Sequence, residues 1–475
     1  MKVALVQPLS EVKKLAYAEN AQLPETGLAV LASWARAYTL TQPDVIVLDP
    51  NVPSEVLASK LAKAEIAGLS DWYSNHARCM EIAARVKQLN IKTRTVVGGP
   101  NAAMLGSLIL RNHLAVDYVV GCRASFDGEE ALAGLIDCQP DASIPNLWCR
   151  AGDGIRHTGA RSTDLEQIPL WDFAEFENAD QRLSSYLASQ EDPWRVSPLA
   201  VFSNRGCSKA LTEGRRSYCT SCEEGNYRML SPERFWKQLT HLDHLYGART
   251  FYVADDVFTT SPTRVETLSS AKPTGTWVRL RAYSYLPYLT GLREGELSRL
   301  AQQLGQIGVF NLFFGCESFD PTVLKAANKK AVGVEETARV VRYLHESGVK
   351  STIAVLFGLP GESLESLETN LRAIETILAS TGEAFERLYI SYAIPLRGTP
   401  LFDQALRNSA ITSEYFNSSG KELALDDDPD YHLLVKLAIG QFATVDIDIV
   451  RSYQARVIEA AMTAIPEHRI GGFLL

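Results

Sequence analysis

Short apolar runs alternate with longer amphipathic segments along most of this chain, and this alternation constrains its fold more than any other feature. In the first 140 residues the apolar runs lie at 3–6, 45–48, 66–69, 95–97 and 117–120. Between them, apolar residues recur at helical spacing over 27–38, 54–64, 75–88 and 129–136. Buried strands that alternate with amphipathic helices form parallel sheets covered by helices. The sequence therefore predicts an α/β fold whose first domain, 1–140, is a doubly wound, Rossmann-like parallel sheet.

The alternation resumes at Leu199, after a segment rich in Asp, Gly, Pro and Ser that we interpret as an ordered linker over 141–196. Six strand and helix units follow, with strands predicted near 199–204, 249–254, 276–283, 309–315, 350–357 and 387–393. Six such units predict a partial (β/α)6 TIM-like barrel over 197–400. Apolar spacing over 431–442 and 450–462 predicts a helical C-terminal region over 401–475.

Composition narrows the class of protein. Hydrophobic residues make up 46% of the chain and charged residues 22%, as in ordinary globular proteins. The net charge of −9 argues against a general nucleic-acid surface, and no apolar run approaches the length of a membrane span. The first residues read as a buried strand and not as a signal peptide, and the eight cysteines form no dense framework. We therefore expect a cytoplasmic protein with reduced thiols.

Three of those cysteines lie close together directly after the first barrel strand: Cys207, Cys219 and Cys222. Three neighbouring thiolates suit iron or zinc and leave the fourth position of the metal site open. An open position allows a reactant to bind there, so the pattern points to a catalytic metal centre. A structural zinc site with a distant fourth ligand and unrelated cytosolic thiols are the alternatives that the cysteines alone leave open.

Other polar groups also follow predicted strands, where parallel sheets gather their functional residues. In the barrel these are Asp255 and Asp256 after the second strand, Arg281 on the third, Glu317 after the fourth, and the turn Gly358-Leu359-Pro360-Gly361-Glu362 after the fifth. In the first domain they are Ser70 and the run Gly98-Gly99-Pro100. Each has a simpler interpretation: the two aspartates as helix caps or solvated acids, Arg281 as the partner of a structural acid, and the glycine run as a tight turn.

Taken together, the motifs give the chain a family resemblance. They are, in order, LPETGLAVLASWARAY, VVGGPNAA, VDYVVG, FYVADDVFT, LFFGCESFDPTVLKAANK, VLFGLPGES and YAIPLRGTPL. The second half resembles a radical S-adenosylmethionine (SAM) enzyme, and the first half resembles the cobalamin-binding domain that precedes it in one large subfamily. The resemblance covers roughly residues 1–400.

The resemblance implies a role for each matching residue. Cys207, Cys219 and Cys222 would hold three irons of a 4Fe-4S cluster, while SAM would chelate the fourth and be cleaved to a 5′-deoxyadenosyl radical. SAM would be contacted by Asp255, Asp256, Arg281, Glu317, Gly358, Pro360 and Gly361. Cobalamin would lie against Ser70, Gly98, Gly99 and Pro100.

The chain departs from the family pattern in two places. Eleven residues separate Cys207 from Cys219 where the family has three, and Ser221 replaces an aromatic residue. The enlarged loop carries Lys209, Arg215 and Arg216, and we hypothesise that Arg215 or Arg216 contacts an anionic substrate group, although a solvated basic loop is the simpler interpretation. The first domain also lacks the Asp-x-His-x-x-Gly motif of a cobalt-ligating histidine. His76 follows the third strand, and we interpret it as a solvated loop residue.

The resemblance implies methylation of an unactivated carbon in a small molecule or natural-product intermediate, with electrons from an external donor such as flavodoxin or ferredoxin. Radical cyclisation or rearrangement without methyl transfer is the alternative, and a non-catalytic corrinoid or iron–sulfur carrier is a third. Cys316, next to Glu317, is interpreted as a buried strand-end thiol and not as a catalytic one.

Overall fold

The computed structural model of the chain describes residues 1–9, 25–187, 198–208, 226–396, 399–407, 439–440, 442–466 and 469–471. Cys219, Cys222, Lys209, Arg215, Arg216 and Ser221 lie outside the described residues, as does most of the helix predicted over 431–442.

The first sheet contains seven strands: β1 (Lys2–Val6), β2 (Asp44–Val47), β3 (Ile66–Ser70), β4 (Arg94–Gly98), β5 (Tyr118–Val120), β6 (Leu147–Ala151) and β7 (Gly154–His157). Their order is β2-β1-β3-β4-β5-β6-β7, and β1 to β5 are all parallel. The strand order changes direction at β1, so the carboxyl ends of β1 and β3 border a crevice of the kind in which doubly wound sheets bind ligands. All five strands predicted from the apolar runs are confirmed.

Helices cover both faces of this sheet: Thr26–Tyr38, Ser54–Leu61, His76–Leu89, Pro100–Asn112 and Glu129–Ile136. Four of them were predicted from apolar spacing. The sequence interpretation missed Pro100–Asn112, which begins at a proline in the first helical position directly after Gly99. Proline at that position is favoured because its fixed backbone angle suits the first turn of a helix.

The segment that we interpreted as linker begins by extending the sheet. Strands β6 and β7 form an antiparallel hairpin, and β6 pairs antiparallel with β5. Trp148 on β6 donates from its indole Nε1 to the Gly121 carbonyl at 3.0 Å. A Cβ at Gly106 would lie 2.4 Å from that same nitrogen, so helix Pro100–Asn112 needs glycine there to receive the indole ring. The sheet is therefore mixed, whereas the sequence led us to expect a wholly parallel one.

The second sheet contains seven parallel strands: β8 (Leu199–Val201), β11 (Thr250–Val253), β12 (Arg279–Ser284), β13 (Val309–Glu317), β14 (Lys350–Phe357), β15 (Phe385–Tyr392) and β16 (Ile470–Gly471). They follow one another in chain order from one edge, β8, to the other, β16. A separate two-strand ribbon pairs β9 (Asn204–Arg205) with β10 (Arg228–Met229). The six predicted barrel strands are confirmed, and β16 is an addition from the C-terminal end.

The helices of the second half are Pro232–Tyr246, Pro262–Ser270, Leu286–Thr290, Glu294–Ile307, Pro321–Ala326, Val334–Glu346, Leu364–Thr381, Pro400–Arg407 and Ile447–Met462. The first of these has the ends that the sequence predicted. The Ser231 hydroxyl accepts from the Arg234 N–H at 3.2 Å, and Gly247 adopts φ +67° after the last turn. Helix Ile447–Met462 includes the predicted segment 450–462.

A connecting segment, residues 158–187, contacts both sheets. Glu175 and Glu177 exchange backbone hydrogen bonds with Val47 on β2, both at 2.8 Å. Earlier in the same segment, Trp171 stacks on Phe202, which follows β8, with ring centroids 4.7 Å apart. One apolar core cluster runs through both halves of the chain. Among the helices that the structure describes, none combines the length and the apolar character needed to cross a bilayer.

Candidate functional site

The residue before Cys207, Gly206, occupies a position in the turn that requires glycine. Gly206 has φ +83°, and a Cβ there would lie 1.8 Å from the Asn226 carbonyl oxygen. The Cys207 side chain is buried at 8% exposure and clusters with Val257 and Tyr285. The chain therefore holds this thiol at a fixed place beside the carboxyl end of β8, as the sequence predicted.

Asp255, at the carboxyl end of β11, organises the approach to Cys207. Its carboxylate accepts from the backbone N–H groups of Ser203 and Asn204 at 2.7 and 3.0 Å, from the Asn204 amide at 2.8 Å, and from the Ser203 hydroxyl. Burial raises the pKa of Asp255 to about 6, although these donors oppose the shift. Both oxygens of Asp255 are occupied by protein donors, which makes its structural role plain. Its predicted contact with SAM stays a prediction, and Asp256 beside it is half-buried.

Arg281 lies on the inner face of β12, where its guanidinium carbon is 6.0 Å from the centre of the Tyr252 ring. Tyr252 and Arg281 are neighbours in the β11–β12 register. The arginine is 9% exposed, so its charge is held inside the barrel and not on the outer surface. That position suits an anionic group bound between the strand ends.

Glu317 ends β13 in a left-handed conformation, with φ +66°. Its carboxylate forms an ion pair with Lys329, whose ammonium also donates to the Gly315 carbonyl at 3.1 Å. A Cβ at Gly315 would lie 2.4 Å from the carboxylate oxygen, so the pair requires glycine below it. A non-glycine residue held at positive φ is costly, and such residues concentrate at functional sites.

The turn after β14 is held by a buried carboxyl group. Glu362 is fully buried, and one of its oxygens accepts from the Gly358 N–H at 2.8 Å. Its other oxygen has no hydrogen-bond partner among the residues that the structure describes, and burial raises the pKa of Glu362 to about 8. Gly358 and Gly361 have φ of +80° and +83°, and the Gly361 N–H donates to the Phe442 carbonyl at 2.9 Å. The C-terminal region therefore braces the predicted SAM-binding turn, which includes Pro360.

Cys316 is a core residue. It is buried among the apolar residues behind β13, and burial raises the pKa of its thiol to about 12. A thiol with so high a pKa is a poor nucleophile at neutral pH.

In the first half, the four residues predicted to meet cobalamin lie together at one edge of the sheet. Ser70 and Gly98 are partners in the β3–β4 register, and Gly99 and Pro100 start the helix that follows. All four are half-buried, although the strands that lead to them are buried. Gly99 has φ +107°, and a Cβ there would lie 2.6 Å from the Asp71 carbonyl oxygen, so chain packing alone explains that glycine. Gly98 faces open space apart from Val120, whose Cβ would be 3.8 Å away.

The same edge contains a buried polar group that the sequence interpretation missed. Asp71 and His76 are 0% and 1% exposed, and the His76 Nδ1 lies 3.0 Å from the Asp71 carboxylate. Asn101 donates to that carboxylate at 3.1 Å. Our interpretation of His76 as a solvated loop residue is wrong, because it is the first residue of a helix and lies in the interior. A carboxylate within five residues of a histidine was the available signal.

Tyrosines connect this edge to the barrel. Tyr73, three residues beyond the end of β3, packs on the shared core, and burial together with the nearby Tyr283 hydroxyl raises the pKa of Tyr73. Tyr283 is hydrogen-bonded to Tyr252, and burial and this neighbour raise the pKa of Tyr252 well above its usual value. The carboxyl end of the first sheet therefore faces the inside of the barrel.

A row of aromatic rings continues across the barrel from Tyr283, with Tyr283 and Phe313 half-buried and Tyr389 buried. Tyr283 contacts Phe313 edge to face at 4.6 Å between ring centroids, and Phe313 contacts Tyr389 at 5.5 Å. Tyr283 and Phe313 are register partners on β12 and β13, and Tyr389 lies on β15, beyond β14. The contacts between the rings place all three on one face of the sheet. Sequence reasoning missed this aromatic row because each residue reads as an ordinary strand residue.

Ion pairs form a second connection between the halves. Arg205 contacts Asp127 and Glu129, both at 2.6 Å, and Arg228 contacts Asp127 at 2.7 Å. Burial would raise the pKa of Asp127, but the two guanidinium groups outweigh it and lower that pKa. The acidic run Asp127-Gly128-Glu129-Glu130 is apparent in the sequence, but the sequence does not indicate which arginines pair with it.

The residues present fit the cofactors that the resemblance implies. Cys207 would supply a sulfur ligand from a rigid turn with apolar walls, which suits an iron–sulfur cluster shielded from solvent. No group of three metal-binding side chains occurs within the described residues, because two of the predicted cysteines lie outside them. Ser70, Gly98 and Gly99 present half-open backbone at a sheet edge, which suits close approach of a large planar cofactor.

Comparisons with known proteins agree with this geometry. Residues 216–374 match the radical SAM superfamily model, a range that includes Cys219 and Cys222 and begins after Cys207. An uncharacterized methyltransferase of Pyrococcus horikoshii is 23% identical over 432 residues, which are 86% of this chain and 84% of that protein. The cytidylyl-2-hydroxyethylphosphonate methyltransferase of Streptomyces wedmorensis is 22% identical over 53% of this chain and 45% of its own length.

Two solved structures share the architecture of the whole chain. The radical SAM methyltransferase TsrM from Kitasatospora setae, solved with cobalamin and a 4Fe-4S cluster bound, superposes with TM-score 0.66 at 16% identity over 99% of this chain and 90% of that one. The cobalamin-dependent SAM radical enzyme OxsB superposes with TM-score 0.68 at 16% identity over 97% of this chain and 66% of that one. The chain therefore matches the radical SAM superfamily over residues 216–374 and shares the two-sheet fold of these two solved structures.

Proposed function

We propose that this protein is a cobalamin-dependent radical SAM methyltransferase that acts on an unactivated carbon of a small molecule. The observation that carries the proposal is the opposition of the two sheet edges. Asp127, on the loop after β5 of the first sheet, forms an ion pair with Arg205 beside Cys207, and Tyr73, next to the predicted cobalamin residues, lies near Tyr283 of the barrel. Two cofactors held at these edges would face one shared space.

In this proposal each sheet edge has its own task. Cys207, with Cys219 and Cys222, would hold a 4Fe-4S cluster, and Asp256, Arg281, Glu317 and the 358–361 turn would surround SAM. Asp255 fixes the backbone that leads to Cys207 and would therefore support the cluster indirectly, through this cysteine ligand. Ser70, Gly98, Gly99 and Pro100 would hold cobalamin, which when bound supplies a transferable methyl group.

The substrate would lie between these edges, against the aromatic row. Tyr283 and Phe313 present half-buried rings there, and Arg281 supplies a positive charge nearby. Aromatic rings bind planar apolar groups well, and a guanidinium pairs with a carboxylate or phosphate. TsrM has been solved with its substrate tryptophan, which is both planar and anionic at its carboxylate. A low-potential protein such as flavodoxin or ferredoxin would supply electrons, in the cytoplasm.

Anaerobic reconstitution with iron, sulfide and hydroxocobalamin, followed by gel filtration, tests the proposal. We expect about four iron and one cobalt per chain. Under reducing conditions with SAM, the loaded protein should form both 5′-deoxyadenosine and S-adenosylhomocysteine. Cys207→Ala should lose iron and both products, whereas Cys138→Ala, at an exposed cysteine, should lose neither.

Two results would overturn the proposal in different ways. Iron and 5′-deoxyadenosine without cobalt or S-adenosylhomocysteine would exclude methyl transfer and leave cyclisation or rearrangement. Absence of 5′-deoxyadenosine from protein that holds both metals would exclude radical chemistry and favour a carrier.

A further inference from the structure

Asp127 of the first half contacts both ends of the segment that contains the predicted cluster cysteines. Arg205 lies two residues before Cys207, and Arg228 lies six residues after Cys222. The two arginines are register partners in the β9–β10 ribbon. One oxygen of Asp127 is 2.6 Å from Arg205, and the other is 2.7 Å from Arg228.

The surroundings of Asp127 make this contact rigid. Asp127 is 3% exposed, and it also accepts from the Thr163 N–H at 2.8 Å. Glu129, 2% exposed, takes the second branch of the Arg205 guanidinium at 2.6 Å. A guanidinium shared between two buried carboxylates has little freedom to turn, because its planar fork fixes the direction of each bond.

The rest of Arg205 is held from the other side. Its guanidinium carbon lies 4.9 Å from the centre of the Phe202 ring, and Phe202 stacks on Trp171. The backbone between Phe202 and Arg205 is fixed by Asp255 through Ser203 and Asn204. Any shift of Arg205 would therefore be passed through Gly206 directly to Cys207.

The position of Asp127 in the first half brings the contact close to the predicted cobalamin residues. It lies on the loop that leaves β5, and Val120 at the end of β5 is the neighbour of Gly98. The loop after β5, whose Asp127 binds Arg205 and Arg228, thus starts beside the predicted cobalamin residues. Removing one partner of a buried ion pair leaves the other charge unpaired, so the contact should be sensitive to single substitutions.

We propose that Asp127 is a positioning residue that closes the base of the cysteine-containing segment by binding Arg205 and Arg228 together, and so sets the place of Cys207. Its importance for catalysis rests on the proposed function. The enlarged spacing between Cys207 and Cys219 fits this arrangement: a long loop needs its two ends held, and here the other half of the protein holds them.

Alkylation of Cys207 in metal-free protein tests the contact without reference to any cofactor. Iodoacetamide labelling, followed by peptide mass spectrometry, gives a separate rate for each cysteine. In Asp127→Asn we expect Cys207 to label about tenfold faster or more, since breaking a buried ion pair is strongly destabilising locally. Arg228→Gln, which removes one end only and is the milder change, should show a smaller increase, and Cys149 on β6 should label at an unchanged rate in both.

Glu130→Gln is the matched control. Glu130 is on the same acidic stretch, but its ion pair at 2.9 Å is with the exposed Arg161, and among the described residues it pairs with neither Arg205 nor Arg228. Its Cys207 rate should equal that of the unmodified protein. Equal Cys207 rates in all four proteins, or faster labelling of every cysteine in Asp127→Asn, would overturn the proposal.

Iron measurements on the same proteins separate this inference from the proposed function. With a cluster bound, Asp127→Asn and Arg228→Gln should release iron to a chelator faster and alter the EPR spectrum of the reduced cluster, and Glu130→Gln should do neither. Unmodified protein that binds no iron counts against the proposed function, and the alkylation rates still decide the role of Asp127.

Discussion

Replacement of Gly206 by alanine should disrupt the metal site more than it disrupts the fold. At φ +83° an alanine costs about 1–2 kcal/mol, because its Cβ crowds the neighbouring backbone. The Cβ would also lie 1.8 Å from the Asn226 carbonyl oxygen and 2.9 Å from its carbon. These are backbone atoms that cannot rotate away, and overpacking of this kind adds about 1–3 kcal/mol. Together these costs come to roughly 2–5 kcal/mol, which the turn can relieve only by moving Asn226 or Cys207.

Iron per chain after anaerobic reconstitution is the assay, with urea unfolding as the measure of stability. Gly247→Ala is the control, since Gly247 has φ +67° but a Cβ there meets nothing within 4 Å. It carries the backbone cost alone, so we expect it to lose about 1 kcal/mol and no iron. We expect Gly206→Ala to lose at least half of its iron. Full iron content in Gly206→Ala, with the same stability as Gly247→Ala, would refute the assignment of this turn.

Two further substitutions test the strand-end turns. Burial raises the pKa of Glu362 to about 8, whereas its ordinary value in the unfolded chain is 4.5. Between these two pH values the folded protein holds a proton on Glu362 that the unfolded chain has lost. The free energy of unfolding should therefore fall by roughly 2.5 kcal/mol between pH 6 and 8. Glu362→Gln should remove that part of the pH dependence in urea unfolding, whereas Glu375→Gln, at an exposed position, should keep it. The same slope of unfolding free energy against pH in both variants and in the unmodified protein would contradict the assignment of Glu362 as a buried acid. Gly315→Ala should displace the Glu317–Lys329 pair, because its Cβ would lie 2.4 Å from the carboxylate, and should weaken SAM binding severalfold by equilibrium dialysis. Unchanged SAM affinity would argue that Glu317 lies outside the SAM site.

The strands and most helices were predictable because their signal is local. A run such as 66–69 is apolar on both faces, and Ser231, Pro232 and Gly247 mark the ends of one helix without help from the rest of the chain. Placement of polar residues at strand ends follows from the same periodicity, which is why the positions of Cys207, Glu317 and Gly98 near the ends of their strands were predictable. The hairpin β6–β7 was missed because its short strands sit among turn residues, and it joins the first sheet only through the pairing of β6 with β5.

Contacts between distant parts of the chain left no readable pattern. The Asp127 group joins residues 101 positions apart, and Tyr73 lies near Tyr283 only because the two sheets are packed together. Asp255 illustrates a subtler limit. Its position after a barrel strand was predictable, but its saturation by Ser203 and Asn204 depends on a loop geometry that periodicity does not describe.

The apolar core cluster that runs from Val3 to Ile465 has a consequence for cooperativity. Trp171 and Phe202 belong to it, as do residues of both sheets, so neither half keeps its full interior when the other is removed. The two halves should therefore melt in one transition and express poorly as separate fragments. A chain of this kind cannot exchange its first half by simple recombination at residue 140 or 197, because the boundary in sequence is not a boundary in the interior.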